Sequence, residues 1–153
     1  MAGELGFDTG PFVNVATFCD QAIQDKDGVL TIVRVIDQMT LTATGPTAPE
    51  ELPPGGAVNL TLVVALKAGQ AHGKQDVKIE FEHPDGSKHP GPAIPVHFSG
   101  GAGGGANAIF KITLVLSSAG LYWADVLVNG RLVSRVPLEV RYQVIPQGVI
   151  QGP

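Results

Sequence analysis

The sequence predicts an all-β protein, an antiparallel β-sandwich of about eight strands with little helix. Apolar residues recur at every second position, which is the period of a strand with one buried face. Turn signals separate these runs at intervals of roughly 8 to 12 residues, a spacing typical of sandwiches and barrels. The 153 residues include 20 Gly and 12 Pro, and 44% are hydrophobic. This composition suits one turn-rich domain with a single core.

The expected strands follow one another along the chain. By residue number they are 12–19, 29–42, 58–66, 77–82, 94–98, 110–116, 122–128 and 132–144. Asn129-Gly130 suits a type I′ hairpin turn between the last two. Three prolines around residues 94–98 remove backbone donors, which places that strand at the edge of a sheet. We expect an N-terminal arm over residues 1–10, one domain over 11–144 and a tail over 145–153.

Charge and hydropathy exclude several classes of partner at this stage. The net charge is −4, whereas nucleic acids and anionic membranes attract basic patches, so neither is expected as a partner. The longest aliphatic run, residues 62–66, is far shorter than the roughly 20 residues of a transmembrane helix. The residues after Met1 do not form a secretory signal, and Cys19 alone cannot form an internal disulfide. These features together predict a cytoplasmic protein.

Two motifs with possible chemistry have simpler structural readings. Residues 101–106 match the glycine pattern G-x-G-x-x-A of dinucleotide-binding loops, but a predicted strand follows where that motif needs a helix. We therefore expect a flexible loop. Cys19 ends an apolar strand, and we expect it to pack as a small hydrophobic side chain rather than to act as a nucleophile.

The four histidines are His72, His83, His89 and His97. They share the central third of the chain with several carboxylates, and imidazole with carboxylate can bind zinc. His83 and His89 flank one turn and could meet across a hairpin. No spacing of the H-x-H or H-E-x-x-H type fixes two ligands on one face. The sequence therefore predicts no catalytic, cofactor-binding or metal-binding residues.

An outward apolar face is predicted on the strand at 122–128. Trp123, Leu121 and Leu127 alternate with the expected core residue Tyr122. Either a loop or the other sheet covers this second face, or the face binds a partner, for which a central tryptophan is a common anchor. Charged residues make up only 16% of the chain, which also favours a surface covered by another protein.

Residues 118–124 resemble the start of the immunoglobulin F strand, in which a tyrosine hydroxyl caps a backbone corner. More of the chain, roughly residues 15–142, resembles a bacterial family of immunoglobulin-like β-sandwich domains of unknown function. The motifs that carry this resemblance are residues 16–20, 27–32, 35–37, 120–122 and 128–130. The resemblance implies an immunoglobulin-like fold and supplies no catalytic or binding residues.

The expected function is a non-enzymatic protein-binding or assembly module within a larger complex or homo-oligomer. Its predicted contact residues are Trp123, Leu121 and Leu127, together with Val149 and Ile150 of the tail. A second interpretation is a small-ligand or glycan binder that uses the loops at 45–56 and 99–106. A third is a metal-assisted enzyme that uses the histidines.

Overall fold

Nine strands and no helix make up the part of the chain that this computed structural model describes, residues 9–101 and 103–146. The prediction of an all-β protein is confirmed. The strands are β1 (Phe12–Gln24), β2 (Leu30–Ile36), β3 (Gln38–Thr44), β4 (Ala57–Lys67), β5 (Gly73–Glu82), β6 (Lys88–Phe98), β7 (Gly105–Val115), β8 (Gly120–Val128) and β9 (Arg131–Ile145). The ninth strand arises because the expected strand at 29–42 is divided at Asp37.

The strands form two sheets, one in the order β2-β1-β4-β7 and one in the order β3-β9-β8-β5-β6. The chain passes from the first sheet to the second at Asp37, whose carbonyl accepts a hydrogen bond of 3.0 Å from the backbone N–H of Glu139. Because of this crossing, β3 runs parallel to β9. The prediction of a purely antiparallel fold was wrong for this pair, and the five-stranded sheet is a curled half-barrel.

The core lies between the two sheets and contains the alternating apolar residues of their facing sides. Leu62 and Val64 of β4 meet Ile79 of β5, and all three have no exposed surface. β6 pairs only with β5 among the described residues, as its three prolines predict for an edge strand.

The β1–β2 hairpin folds back across the outer face of the four-stranded sheet. Arg34 has a positive φ of 56° and drops out of the ladder between these strands, where it forms a 2.8 Å ion pair with Asp20. At the hairpin tip, the Asn107 side chain donates a 3.4 Å hydrogen bond to the carbonyl of Gly28. This cover leaves Cys19 and Val63 with no exposed surface although they lie on the outer side of the sheet. Cys19 therefore packs as a small buried side chain, as predicted.

The two ends of the chain extend past the region that the structure describes. The strands occupy residues 12–145. Residues 1–8 and 147–153 lie outside the described residues, and so do Val149 and Ile150 of the expected partner site. No helix in the described residues is long and apolar enough to cross a membrane.

Candidate functional site

The predicted apolar face lies on the outside of the five-stranded sheet. We define the Trp123 face by the outward side chains of β8 and their neighbours on β9 and β5: Leu121, Trp123, Asp125, Leu127, Leu132, Arg135, Pro137 and Glu82. Trp123 is partly exposed on the central strand, between Pro137 on one side and Glu82 on the other. Leu121 is 42% exposed and Leu132 is 52% exposed. The sheet therefore offers apolar side chains outward around one tryptophan.

A network of four charged residues crosses the same face. Asp125 is only 5% exposed, and its carboxylate accepts a 2.7 Å hydrogen bond from Nε of Arg135. Arg135 also contacts Glu82 at 3.2 Å, and Lys88 lies 2.9 Å from Glu82 and 3.4 Å from Asp125. Hydrogen bonds from Lys88 and Arg135 lower the pKa of Glu82. Each charge on the face thus has opposite charges beside it.

Arg135 also contacts the indole ring of Trp123. The guanidinium carbon lies 4.6 Å from the centroid of the indole ring, a cation–π geometry. The guanidinium is itself oriented by its hydrogen bonds to Asp125 and Glu82. The guanidinium therefore packs against one side of the indole ring.

Arg135 and Leu132 were not predicted to lie on this face because a β-bulge changes the register between β8 and β9. Counting back from the Asn129-Gly130 turn puts Ser134 opposite Asp125. The register shifts by one residue between Val126 and Leu127, and this shift puts Arg135 opposite Asp125. A bulge of this kind leaves no clear mark in the sequence.

His83 and His89 contact each other across the turn that separates them, as the sequence suggested they could. The rings of His83 and His89 have centroids 3.9 Å apart. His83 is 7% exposed, and its Nδ1 lies 2.8 Å from the Ser117 hydroxyl. Burial, followed by the neighbouring His89, lowers the pKa of His83, and Asp85 partly opposes this effect. The remaining histidines, His72 and His97, are not in this cluster.

The histidine pair lacks the arrangement that a metal site or a nucleophile needs. Among the described residues, no three His, Cys, Asp or Glu side chains are grouped so that they could hold a metal ion. Ser87 lies 3.0 Å from Nε2 of His89 but donates its own proton to Asp85 at 2.6 Å. A catalytic serine instead gives its proton to the histidine.

The loops at 45–56 and 99–106 do not form one site. At one end of the β4–β7 ladder, the carbonyl of Gly56 accepts a hydrogen bond from Leu116, and at the other end Ala68 donates to Gly104. The loops therefore lie at opposite ends of two strands of 11 residues each. Their separation removes the geometric basis for a shared ligand site between them.

Tyr122 makes the backbone contacts that the immunoglobulin resemblance implies. Its hydroxyl accepts hydrogen bonds from the backbone N–H groups of Ser117 (3.1 Å) and Ser118 (3.2 Å). It donates one of 2.5 Å to the carbonyl of Ser118. This side chain is 1% exposed and connects the end of β7 to the core.

Comparisons with known proteins identify the family, and the similar solved structures include a DNA glycosylase. The sequence model of a family of unknown function, DUF6941, matches residues 14–141, so the chain belongs to this family. No curated protein matches the chain. Among solved structures, the chain is similar to the Pseudomonas fluorescens alkylpurine DNA glycosylase AlkC bound to DNA containing an abasic site analog. That match has 15% identity and a TM-score of 0.40, and it covers 82% of this chain but only 30% of the glycosylase.

The exclusion of nucleic acid on the basis of net charge was wrong, and the solved structure to which the chain is similar contains DNA. Net charge sums the whole surface and ignores where the 10 Lys and Arg residues lie, so it does not exclude a local contact. A likeness at this TM-score carries no argument that the present chain binds DNA. Nucleic acid is therefore an outcome that the experiment below has to distinguish.

Proposed function

We propose that this member of the DUF6941 family is a non-enzymatic protein-binding module that contacts its partner through the Trp123 face. The observation that carries the proposal is the partly exposed Trp123 on a central strand, in contact with Arg135. Tryptophan and arginine are enriched among the residues that dominate binding energy at protein interfaces. The exposed Leu121 and Leu132 provide the apolar surroundings that such an anchor needs.

The charged network also favours binding at this face. Ordering a side chain on association costs about 0.5–1.5 kcal/mol for each flexible group. Arg135 is already oriented in the free protein by its hydrogen bonds to Asp125 and Glu82 and packs on Trp123, so binding has less side-chain freedom left to remove. The carboxylates of Asp125 and Glu82 keep their counter-charges when water is excluded, which limits the cost of burying them.

The assignment of the fold as immunoglobulin-like is part of the same proposal. The order β9-β8-β5-β6 corresponds to the G, F, C and C′ strands of an immunoglobulin-like sheet, and the Tyr122 hydrogen bonds support this assignment. The bacterial origin of the family and the cytoplasmic location stay predictions. The proton of the Ser87 hydroxyl is directed at Asp85, which favours a structural role for that cluster over a catalytic one.

Site-specific photo-crosslinking tests the proposal in the cells from which the gene comes. A photoreactive phenylalanine replaces Leu132 in one variant and Val29 in the control. Both positions are exposed apolar residues, and Val29 lies on the hairpin far from the face. We expect a covalent protein adduct at position 132, its loss when Trp123→Ala is added, and no such adduct at position 29.

Two results would overturn the proposal. One is an adduct at position 132 that nuclease digestion removes and protease does not, which would identify nucleic acid as the partner. The other is equal labelling at positions 132 and 29, which would show that the Trp123 face has no specific partner.

A further inference from the structure

An open groove lies where the edges of the two sheets approach each other, beside the histidine pair. Its volume is about 450 Å³, within the range of roughly 300–1,000 Å³ for small-molecule sites. Apolar side chains form most of its walls: Pro54, Phe81, Pro90, Leu114, Val115 and Leu116. The groove is separate from the Trp123 face. Phe81 points to the core side of the five-stranded sheet, opposite to its neighbour Glu82, and Leu114 belongs to the four-stranded sheet.

The polar atoms of the groove are concentrated at one end. His83, His89 and the Ser117 hydroxyl are there, and none of the described lining residues is Asp, Glu, Lys or Arg. Nδ1 of His83 is engaged by Ser117 and Nε2 of His89 by Ser87. The other ring nitrogen of each histidine has no hydrogen-bond partner among the described residues, and neither nitrogen is counted among buried polar atoms that lack a partner. Two imidazole nitrogens are therefore available to a ligand.

We propose that this groove binds a small apolar carboxylate, with the carboxylate at His83 and His89 and the hydrocarbon against Phe81 and Leu114. Because Ser87 donates its proton to Asp85, it accepts a hydrogen bond from Nε2 of His89. The free Nδ1 of His89 therefore donates to a carboxylate when the imidazole is protonated, and the positive charge adds attraction. A cationic ligand would be repelled by the imidazoles in their protonated form. A neutral alcohol would gain the apolar contacts without the charge-assisted hydrogen bonds.

Binding should take up a proton. The titratable groups that act on His83 are His89 and Asp85 from the β5–β6 turn, and the Tyr122 ring lies 5.0 Å away across the core side. Two imidazoles with ring centroids 3.9 Å apart resist double protonation because their charges repel, and a carboxylate bound beside both rings offsets that repulsion. The affinity for a carboxylate should therefore rise as the pH falls from about 8 to about 6.

The test is an NMR titration of the purified full chain with octanoate, octan-1-ol and octylamine as probes. We expect octanoate to shift the His83 and His89 ring signals and the Leu114 and Leu116 methyl signals. The same titration of His89→Ala should show an affinity reduced about tenfold, the loss of one charge-assisted hydrogen bond. The control is His97→Ala, which removes an exposed histidine from the far end of the same strand and should leave the affinity unchanged.

A second variant tests the groove without changing a histidine. Pro54 lines the groove from an exposed loop, so Pro54→Glu should fold and should weaken octanoate binding by repulsion. The proposal is overturned if octan-1-ol or octylamine binds as tightly as octanoate, if the His89→Ala affinity equals that of the control, or if octanoate shifts none of these signals. No partner protein is present in this experiment, so its outcome is independent of the function proposed for the Trp123 face.

Discussion

Replacing Tyr122 by Phe isolates the hydroxyl that connects the β7–β8 turn to the core. The aromatic ring stays in place, so no cavity forms. The lost oxygen accepts from the N–H groups of Ser117 and Ser118 and donates to the carbonyl of Ser118. The substitution therefore leaves three backbone groups without their partner.

The expected cost follows from how much of this loss water can replace. A buried polar group without a partner costs about 1–3 kcal/mol. The turn at Ser117 and Ser118 is partly open, so water can reach some of the three groups. We expect a loss of about 2 kcal/mol, which lowers the melting temperature of a chain of this size by about 4–8 °C.

Urea and thermal unfolding measure this difference, with Tyr142→Phe as the matched control. The Tyr142 hydroxyl makes one exposed hydrogen bond of 2.8 Å to the carbonyl of Pro49, so its loss should cost less than about 0.5 kcal/mol. If the two variants lose the same stability, the backbone contacts of Tyr122 do not hold this corner, and the reasoning is refuted.

Three further predictions concern buried groups. Burial and the neighbouring His89 hold the pKa of His83 below its ordinary 6.5, so the unfolded chain binds this proton at a higher pH than the folded chain, and the free energy of unfolding falls as the pH drops below about 6.5. In urea unfolding at a series of pH values, the stability of His83→Asn should depend less on pH than that of the unchanged protein. Equal slopes would contradict the assignment. Asp125→Ala leaves Arg135 without its 2.7 Å partner and should cost about 1–3 kcal/mol in denaturant unfolding, whereas Glu139→Ala, which removes an exposed pair, should cost under about 0.5 kcal/mol. Burial raises the pKa of the Cys19 thiol, so a colorimetric thiol reagent should label it slowly in the native protein and rapidly in urea; rapid native labelling would show that the hairpin does not cover it.

Much of the fold could be predicted because most strands bury only one face. The alternation over 110–116 and 136–140 indicated which side chains form the core, but Leu132 and Val144, which the same pattern assigns to that face, are exposed. Asn129-Gly130 adopts the two positive φ angles, 49° and 82°, that its turn requires. The crossing at Asp37 could not be predicted, since an extended chain keeps its alternation when it passes from one sheet to another. The extension of β1 to Gln24 was also missed, because its later residues are mostly polar or exposed.

The candidate sites were less predictable than the fold. The sequence placed Trp123, Leu121 and Leu127 on one outward face, since period-two alternation fixes the side of each residue. It could not supply Arg135, because the bulge that brings this residue opposite Asp125 depends on tertiary packing. The groove beside His83 was missed for a similar reason, because its walls come from strands that are distant in sequence and belong to different sheets.

The hairpin that folds over the four-stranded sheet makes the two broad sides of the molecule unequal. On one side the chain covers its own sheet, although Val29 and Val35 of the hairpin stay 61% and 65% exposed, and on the other side the Trp123 face is uncovered. Were the Trp123 face to meet the same face of a second copy, a twofold axis would close that contact. The prolines of β6 remove backbone donors at one sheet edge, which disfavours the addition of another strand at that edge.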